Sequence, residues 1–324
     1  MAAGQLRGGI DLGGTKIQAI VADERHQVLG QARLPTPSEG GPPDVVAALE
    51  QALRESAEQA GVATDALAGV GIGAPGAIDE QAGTLARAGN LPGWRDPYPL
   101  AGELGGRLGT TVALGNDVQV ATDAEFSLGA AREFSSLLGV FWGTGVGGGI
   151  VLDGKPWLGR GAAGEIGHVV VRPDGEPCPC GRRGCMEAYA GRRAMENRAR
   201  AAHEHDGEHT HLFKLMHERG RERLTSGVWA RALERGDKLA ERLIDDAIDA
   251  LGIGVASCCN VLDVEAVIIG GGLGVRFGEP FAKRIETAMM PHLFSDDRPP
   301  VIRVAELGDL GGALGAALLV GGPR

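Results

Sequence analysis

Residues 164–191, GEIGHVVVRPDGEPCPCGRRGCMEAYAG, constrain the fold more than any other part of the sequence. Three of the five cysteines, Cys178, Cys180 and Cys185, lie within this short stretch, and His168 precedes them. Three thiolates and one imidazole make a closed tetrahedral Zn²⁺ site of the structural kind, with no open position for a substrate. The spacing therefore predicts a zinc-stabilised loop. The alternative is a metal-free loop that carries three reduced thiols.

Two carboxylates flank the predicted metal loop. Glu165 comes shortly before the histidine, and Glu187 comes shortly after the last cysteine. A metal that holds this loop in one conformation also holds the two acids, and carboxylates that accept two hydroxyl groups each are well suited to binding a sugar ring. The alternative is that both are ordinary surface acids.

Composition and charge exclude several classes of protein. The chain has 324 residues, which is long enough for two domains that each have a hydrophobic core. The formal net charge of −10 argues against a nucleic-acid binder. No signal-peptide pattern and no apolar run of membrane-spanning length is present, and the adjacent Cys258 and Cys259 are expected to be buried thiols. We therefore expect a cytoplasmic protein with neither nucleic-acid nor membrane partners.

The order of the predicted elements contains an internal repeat. The N-terminal segment predicts three strands, a helix that begins with Asp44 as its cap, and a further strand. This order differs from the simple alternation of a dinucleotide-binding fold. A similar arrangement of strand, glycine-rich turn and returning strand begins near residue 135. The turns DLGGTK and GTGVGGG are therefore predicted to correspond in two related halves.

Three glycine-rich turns are candidate phosphate or nucleotide sites, because bare backbone N–H groups can surround phosphate oxygens. In the first turn Asp11 ends a strand and is placed to hold a hydrated Mg²⁺ ion. The candidate residues of the three turns are Asp11, Gly13, Gly14, Thr15 and Lys16; Gly143, Thr144 and Gly145; and Gly270, Gly271 and Gly272. The alternatives are a plain hairpin turn for the first and a flexible loop for the second, and the third taken alone is as consistent with no ligand as with one.

Two polar turns are candidate substrate contacts. Asn116 and Asp117 stand where a strand runs into a helix, so Asp117 is either the helix cap or a general base that accepts a hydroxyl proton. Asn90 is either a turn residue or a sugar ligand. The histidine-rich tract 203–211 is either a solvated loop or a metal site.

These motifs together resemble those of the ROK family of sugar kinases, most closely its bacterial ATP-dependent glucokinases. The matching segments are DLGGTK, GIGAPGAID, GNDVQVATDAE, GTGVGGGI, the cysteine loop and IIGGGLG, which span residues 9–274 in the family's order. The cysteine loop is specific to the family, whereas the glycine turns are shared with a wider superfamily. One departure is Gly115, where the family often has an acidic residue.

The resemblance implies a ribonuclease-H-like fold of the actin and hexokinase type, with two α/β domains and a cleft between them. The small domain would comprise residues 1–116 and about 305–324, and the large domain residues 117–304. The resemblance to the family also implies that the protein forms a homodimer or a homotetramer.

The resemblance also implies the roles of individual residues. Asp117 corresponds to the catalytic base, the first two glycine turns to the ATP and Mg²⁺ site, and Gly270–Gly272 to the adenosine site. The residues that correspond to sugar ligands are Gly76, Asn90, Asn116, Asp117, Glu165, His168 and Glu187. His168 would contact both zinc and sugar, because imidazole has two nitrogens.

The expected reaction is transfer of the γ-phosphoryl group of ATP to the 6-hydroxyl of glucose. Other substrates remain as alternatives within the family: fructose, mannose, N-acetylglucosamine or N-acetylmannosamine as acceptor, and polyphosphate as donor. A sugar-sensing binding protein without catalysis is an alternative from another class.

Overall fold

The structure, a computed structural model, describes residues 5–320. Contacts divide the chain into two compact units. The first unit contains the described residues up to Arg132, the segment Lys155–Ala162, and the described residues from Glu306 onward. The second contains Glu133–Gly154 and Ala163–Ala305. Among the described residues, no helix combines the length and apolar character that crossing a bilayer requires.

The first unit is built on a five-stranded sheet with the order β3-β2-β1-β4-β7. The first three strands are antiparallel, and β4 and β7 continue the sheet parallel to β1. Its elements are β1 (Arg7–Leu12), β2 (Lys16–Ala22), β3 (Val28–Pro35), α1 (Pro42–Gln59), a 3-10 turn (Thr64–Ala66), β4 (Val70–Ala74), the hairpin β5 (Ala77–Asp79) and β6 (Thr84–Ala86), α2 (Leu100–Leu108), β7 (Val112–Asn116) and α3 (Asp117–Ser127), followed at the end of the chain by a 3-10 turn (Gly308–Leu310) and the last helix, Gly311–Leu318.

The second sheet repeats this plan with the order β10-β9-β8-β11-β12. Here β8 and β9 are antiparallel, and β11 and β12 run parallel to β8. The elements are β8 (Leu137–Trp142), β9 (Val146–Leu152), β10 (Lys155–Pro156), a 3-10 turn (Ile166–His168), α4 (Met186–Ala190), α5 (Arg192–Glu204), α6 (Leu212–Glu218), α7 (Ser226–Glu234), α8 (Lys238–Leu262), β11 (Ala266–Gly270), α9 (Gly271–Met289), a 3-10 turn (Met290–His292) and β12 (Val301–Val304). The last helix, Gly311–Leu318, is α10.

The matching strand orders confirm the prediction of two related halves. The turn between β1 and β2 and the turn between β8 and β9 occupy the same place in their sheets. Each unit also has its own large cluster of buried apolar side chains. Helix α8 packs an apolar stripe into the cluster of the second unit, where Leu239, Leu243, Ala247, Ile248 and Leu251 are all buried.

Helix α1 begins earlier than the sequence predicts. Its cap is Gly41, and the first turn contains Pro42 and Pro43, whose fixed φ angles suit the start of a helix. Asp44 is therefore the third helical residue, and its Oδ2 accepts a hydrogen bond from the N–H of Gly41 at 2.9 Å. The prediction that Asp44 is the cap was wrong, although its carboxylate still stabilises the helix start.

The predicted domain boundaries differ from the observed units at α3. The sequence places the break after residue 116, whereas the first unit continues to Arg132. Helix α3 belongs there because α10 packs against it so closely that a Cβ at Gly315 would overlap the carbonyl of Val120. The first unit also includes Lys155–Ala162, which the sequence assigned to the large domain.

Candidate active site

The four predicted metal ligands lie together in the second unit. One ligand atom from each of His168, Cys178, Cys180 and Cys185 lies within 4.8 Å of all the others. The Sγ atoms of Cys180 and Cys185 are 3.7 Å apart, and Cys178 Sγ is 3.7 Å from His168 Nδ1. A tetrahedral site with Zn–S bonds of about 2.3 Å places its sulfur atoms roughly 3.8 Å apart. The donor set and its spacing therefore fit zinc.

Local structure gives the three thiols different acidities. Burial raises the pKa of Cys178 to about 12 and also raises the pKa of Cys185. The backbone N–H of Arg182 lowers the pKa of Cys180 to about 6. A cysteine binds zinc as a thiolate, so Cys178 and Cys185 must each lose a proton when the ion binds. Burial opposes this step, because it favours the neutral thiol.

The histidine presents its two nitrogens to different neighbours. Nδ1 faces the thiol of Cys178, and Nε2 lies 3.8 Å from Oε2 of Glu165. The Glu165 side chain is 63 % exposed. The arrangement therefore agrees with one imidazole nitrogen for a metal and the other for a polar group outside the metal cluster.

Glu187 joins the metal loop to the second glycine turn. It lies in α4, two residues after Cys185, and its Oε2 accepts a hydrogen bond from the N–H of Val146 at 2.8 Å. A Cβ at Gly145 would overlap the same oxygen, so a larger residue there would displace the Glu187 carboxylate. A predicted sugar ligand and a predicted phosphate turn are thus in direct contact.

The second and third glycine turns are also neighbours. Strand β11 pairs with β8 so that Gly270 lies opposite Phe141, and a Cβ at Gly143 would lie 3.8 Å from the N atom of Gly272. Gly271 has a φ of 79° and lies against the backbone of Trp142, where no side chain fits. The structure therefore brings Gly143–Gly145 and Gly270–Gly272 together at one end of the second sheet.

The first glycine turn holds Asp11 and Lys16 in the first unit. The turn closes with a hydrogen bond from Gly13 N–H to the carbonyl of Lys16 at 2.9 Å. Burial raises the pKa of the Asp11 carboxyl, the charge of Lys16 lowers it and Asp309 raises it. A Cβ at Gly312, in α10, would lie 2.9 Å from Asp11 Cγ. An oxygen donor beside bare backbone fits a hydrated Mg²⁺ ion, which proteins commonly hold with one or two carboxylates and the substrate's phosphates.

Asn90 lies against this turn. A Cβ at Gly14 would lie 3.0 Å from the Cβ of Asn90, so the glycine allows the asparagine to approach. Thr36 supports the other side, where its hydroxyl donates to the carbonyl of Gly13 at 2.6 Å and its N–H donates to the carbonyl of Thr15 at 3.2 Å. The structure thus places a predicted sugar ligand next to a predicted phosphate turn.

The structure of the strand-to-helix junction shows which of Asn116 and Asp117 caps α3, a choice that the sequence leaves open. Asn116 is the cap of α3, because its Oδ1 accepts hydrogen bonds from Val118 N–H and Gln119 N–H, each at 3.1 Å. Asp117 is the first helical residue, and its Oδ1 accepts from Val118 N–H at 2.9 Å. The capping alternative for Asp117 was wrong, because the preceding amide caps the helix.

Two further glycines shape this region of the first unit. Gly115 packs so tightly that a Cβ would lie 2.8 Å from Val120 and 3.2 Å from Leu319, which explains why no acidic side chain stands there. Gly76 has a φ of 98°, and a Cβ would lie 2.7 Å from the carbonyl oxygen of Ala86. The observed contacts give Gly76 a conformational role in the turn.

Two charged residues near the glycine turns were not predicted. Asp309, in the turn before α10, lies 3.4 Å from Lys16 Nζ and 3.3 Å from Arg33 Nη1. Arg192, at the start of α5, donates to the hydroxyl of Thr144 at 2.8 Å. Asp309 lies 293 positions from Lys16 along the chain, so no local pattern reveals that contact. For Arg192 the only signal is its place directly after Gly191, beside the metal loop.

The structure thus collects the predicted residues into one group in each unit. Asp11, Gly13, Gly14, Thr15, Lys16, Gly76, Asn90, Asn116 and Asp117 belong to the first unit. Gly143, Thr144, Gly145, Glu165, His168, Glu187 and Gly270–Gly272 belong to the second. Within residues 5–320, the cysteine loop is the only cluster of three or more metal-ligating side chains, and the tract 203–211 forms none.

Comparisons with known proteins show the family to which the chain belongs. The ROK family matches residues 7–322. A glucokinase of Thermotoga maritima is 33 % identical over 318 residues, which cover 96 % of each protein. An N-acetyl-D-glucosamine kinase of Yersinia pseudotuberculosis is 32 % identical over 327 residues, which cover 96 % of this chain and 97 % of the relative.

A solved structure of a ROK family glucokinase from Streptomyces griseus, in complex with glucose and AMPPNP, is similar throughout. It superposes with a TM-score of 0.82 at 32 % identity and covers 97 % of this chain and 99 % of that chain. The predicted two-domain α/β fold of the actin and hexokinase type is therefore confirmed.

Proposed function

We propose, from the premise that this chain belongs to the ROK family and is a sugar kinase, that its acceptor is the 6-hydroxyl of glucose and its donor is ATP. The main support from the site is the cap of α3. Because the Asn116 side chain caps the helix, Asp117 is its first residue, with Oδ1 on the N–H of Val118, and a carboxylate in that position suits a general base.

In this proposal Asp117 accepts the proton of the sugar hydroxyl as the oxygen attacks the γ-phosphorus. The bond from the γ-phosphorus to the bridging oxygen breaks, and ADP leaves. The base need not be strong, because a loose transition state gains most of its rate from positioning and from stabilisation of charge.

The candidates for binding the phosphates are the backbone N–H groups of the two hairpin turns, which contain Gly13, Gly14, Thr15 and Lys16, and Gly143, Thr144 and Gly145. Mg²⁺, when bound through Asp11, would neutralise charge on the phosphate oxygens. Adenosine would lie at Gly270–Gly272, where a Cβ added at Gly272 would meet no atom within 4 Å.

The sugar hydroxyls would be bound by carboxylates that accept, by amides that both accept and donate, and by an imidazole. Asn90, Asn116, Glu165, His168 and Glu187 supply them, with Gly76 shaping the turn before Asn90. Zinc, when bound by His168, Cys178, Cys180 and Cys185, would hold Glu165, His168 and Glu187 in place and take no part in the chemistry.

A second acceptor class has direct support. The N-acetyl-D-glucosamine kinase of Yersinia pseudotuberculosis is almost as similar to this chain as the glucokinase of Thermotoga maritima. Glucose and N-acetylglucosamine differ by one acetamido group at C2, which a pocket accepts or rejects by shape and by one or two hydrogen bonds.

A coupled assay of ADP formation over a sugar panel tests the proposal. The panel contains glucose, fructose, mannose, N-acetylglucosamine and N-acetylmannosamine, with ATP as donor. A parallel series uses polyphosphate as donor and measures the sugar phosphate directly, because no ADP is formed. We expect the highest kcat/KM for glucose with ATP. A higher value for an N-acetylhexosamine overturns the assignment of glucose, and sugar binding without any phosphoryl transfer identifies a sensing protein instead.

A further inference from the structure

Arg192 is attached to the second glycine turn by both its side chain and its main chain. Its Nη2 donates to Thr144 Oγ1 at 2.8 Å, and its backbone N–H donates to the carbonyl of Gly143 at 3.1 Å. Its Nη1 donates to the carbonyl of Leu224 at 3.0 Å, which holds the guanidinium from the other side. The charged group is therefore held in one place beside the turn.

The hydrogen bond from Arg192 determines whether the Thr144 hydroxyl acts as a donor or as an acceptor toward a ligand. A guanidinium has donors and no acceptor, so Thr144 Oγ1 must accept from Arg192. The hydrogen of the hydroxyl is then directed to another acceptor. Thr144 is exposed, so its O–H can donate to a ligand, with a positive charge directly behind it. An anionic oxygen is the acceptor that this pair favours most.

The charge of Arg192 is not neutralised locally. No ion pair among residues 5–320 includes Arg192. The nearby carboxylate of Glu196 already accepts from Arg200 at 3.1 Å, and from Arg223 and the N–H of Leu224 at 3.3 and 3.1 Å. Burial lowers the pKa of the Arg192 guanidinium, Glu196 raises it, and Arg223 and Arg193 lower it. Three arginines, Arg192, Arg200 and Arg223, thus interact with one carboxylate, in a chain whose net charge is −10.

We propose that Arg192 is a phosphate-binding residue, which stabilises the negative charge of a nucleoside triphosphate's phosphates through the Thr144 hydroxyl and through its own charge. The inference rests on the proposed function, because it takes ATP to be the ligand of the turn. It goes beyond that function by assigning to this turn a cation held by α5. In phosphoryl transfer such a cation matters most where charge accumulates on the transferred group and the leaving oxygen.

Steady-state kinetics and calorimetry of variants test the inference. Arg192→Met removes the charge and keeps most of the volume, and Arg192→Lys keeps the charge but loses the two-pronged geometry. The matched control is Arg242→Met, which removes an exposed arginine that pairs with Glu208 in the same unit. Each variant is assayed for KM of ATP, KM of the sugar, kcat, Tm, and affinity for AMPPNP with Mg²⁺.

We expect Arg192→Met to raise KM for ATP and the Kd for AMPPNP about tenfold or more. Arg192→Lys should fall in between, and KM for sugar should stay within about twofold in both. A nucleotide KM and Kd unchanged in Arg192→Met overturn the inference. An equal rise in both KM values together with a fall in Tm also overturns it, because that pattern indicates a structural tether to Leu224.

Thr144→Val separates the tether from the phosphate role. It removes the hydroxyl and leaves the bond from Arg192 to Leu224 in place. We expect it to weaken AMPPNP binding, and the double variant with Arg192→Met to be weakened by less than the product of the two single effects. Independent effects of the two changes argue against the pair.

The outcome for Arg192 is distinguishable from the outcome for the proposed function. If the wild-type protein phosphorylates no sugar with ATP, the proposed function fails. The affinity of wild type and Arg192→Met for AMPPNP still decides the role of Arg192, because that measurement requires no turnover.

Discussion

At the scale of single residues, the hydrogen bonds of each carboxylate distinguish acids that hold the structure from acids that suit chemistry. Glu187 Oε2 accepts from the backbone of Val146, so at least half of that carboxylate stabilises the second glycine turn. Glu165 is largely exposed beside His168. Asp117 stands directly after the cap of α3, where its neighbour Asn116 satisfies the first N–H groups of the helix.

The first prediction concerns Asp117. Asp117→Asn preserves shape but removes the proton acceptor, so we expect kcat to fall by about three orders of magnitude while sugar binding persists. Asp123→Asn, which changes the same charge on the same helix, is the matched control and should keep near wild-type turnover. Turnover of Asp117→Asn close to that of wild type would remove Asp117 as the base.

At the scale of elements, the side chain of Asn116 caps α3 and is also proposed to bind the sugar. Asn116 Oδ1 caps the helix, and this bonding leaves the Nδ2 amide as the part that would donate to a sugar hydroxyl. The strand before it, β7, pairs in parallel with β4 so that Gly73 lies opposite Gly115. Both glycines let α3 approach the sheet, which sets the position of Asp117.

Two variants separate these tasks. Asn116→Ser keeps an oxygen for the cap and removes the amide donor, so we expect a higher KM for sugar with little loss of stability. Asn116→Ala removes both and should also cost about 1 kcal/mol of unfolding free energy. Sugar titrations and denaturant unfolding measure the two effects. A sugar KM raised only in Asn116→Ala would mean that capping, and no direct contact, explains the effect.

At the scale of the whole molecule, each unit has its own hydrophobic cluster, and the metal loop belongs to the second. Cys178 and Cys185 are buried with Ala188, Tyr189 and Ala250, so the loop packs against α4 and α8. A structural metal contributes its binding free energy to the part of the fold that it holds. Loss of the metal should therefore destabilise the second unit selectively.

Hydrogen exchange measured by mass spectrometry tests this expectation. The purified protein should contain about one zinc ion per chain by elemental analysis. After chelation, or in Cys185→Ser, we expect faster exchange in residues 164–191 and in α4, and unchanged exchange in β1, β2 and β4. The sugar KM should rise as well. Full activity in a protein free of zinc would contradict a structural metal, and equal loss of protection in both units would contradict a selective effect on the second.

The sequence by itself determined the features that depend on short spacings. The metal ligands were predictable because His168 and the three cysteines are close in the chain, and few arrangements other than a metal site explain them. The repeat of strand, glycine turn and strand predicted the two sheets, because period and turn chemistry are local properties. The start of α1 was missed because its cap is Gly41, whose role depends on backbone geometry.

Only the tertiary structure decided the contacts between residues far apart in the chain. The placement of Asp309 beside Lys16, of α10 against Asp11 and of α3 within the first unit required the last helix to return to the first sheet. The choice between Asn116 and Asp117 as cap required the direction of each side chain, which two adjacent polar residues do not reveal. The proposed role of Arg192 depends on its contact with Thr144, which lies 48 positions away in the chain. The sequence shows that an arginine is charged but does not show which group its charge will face.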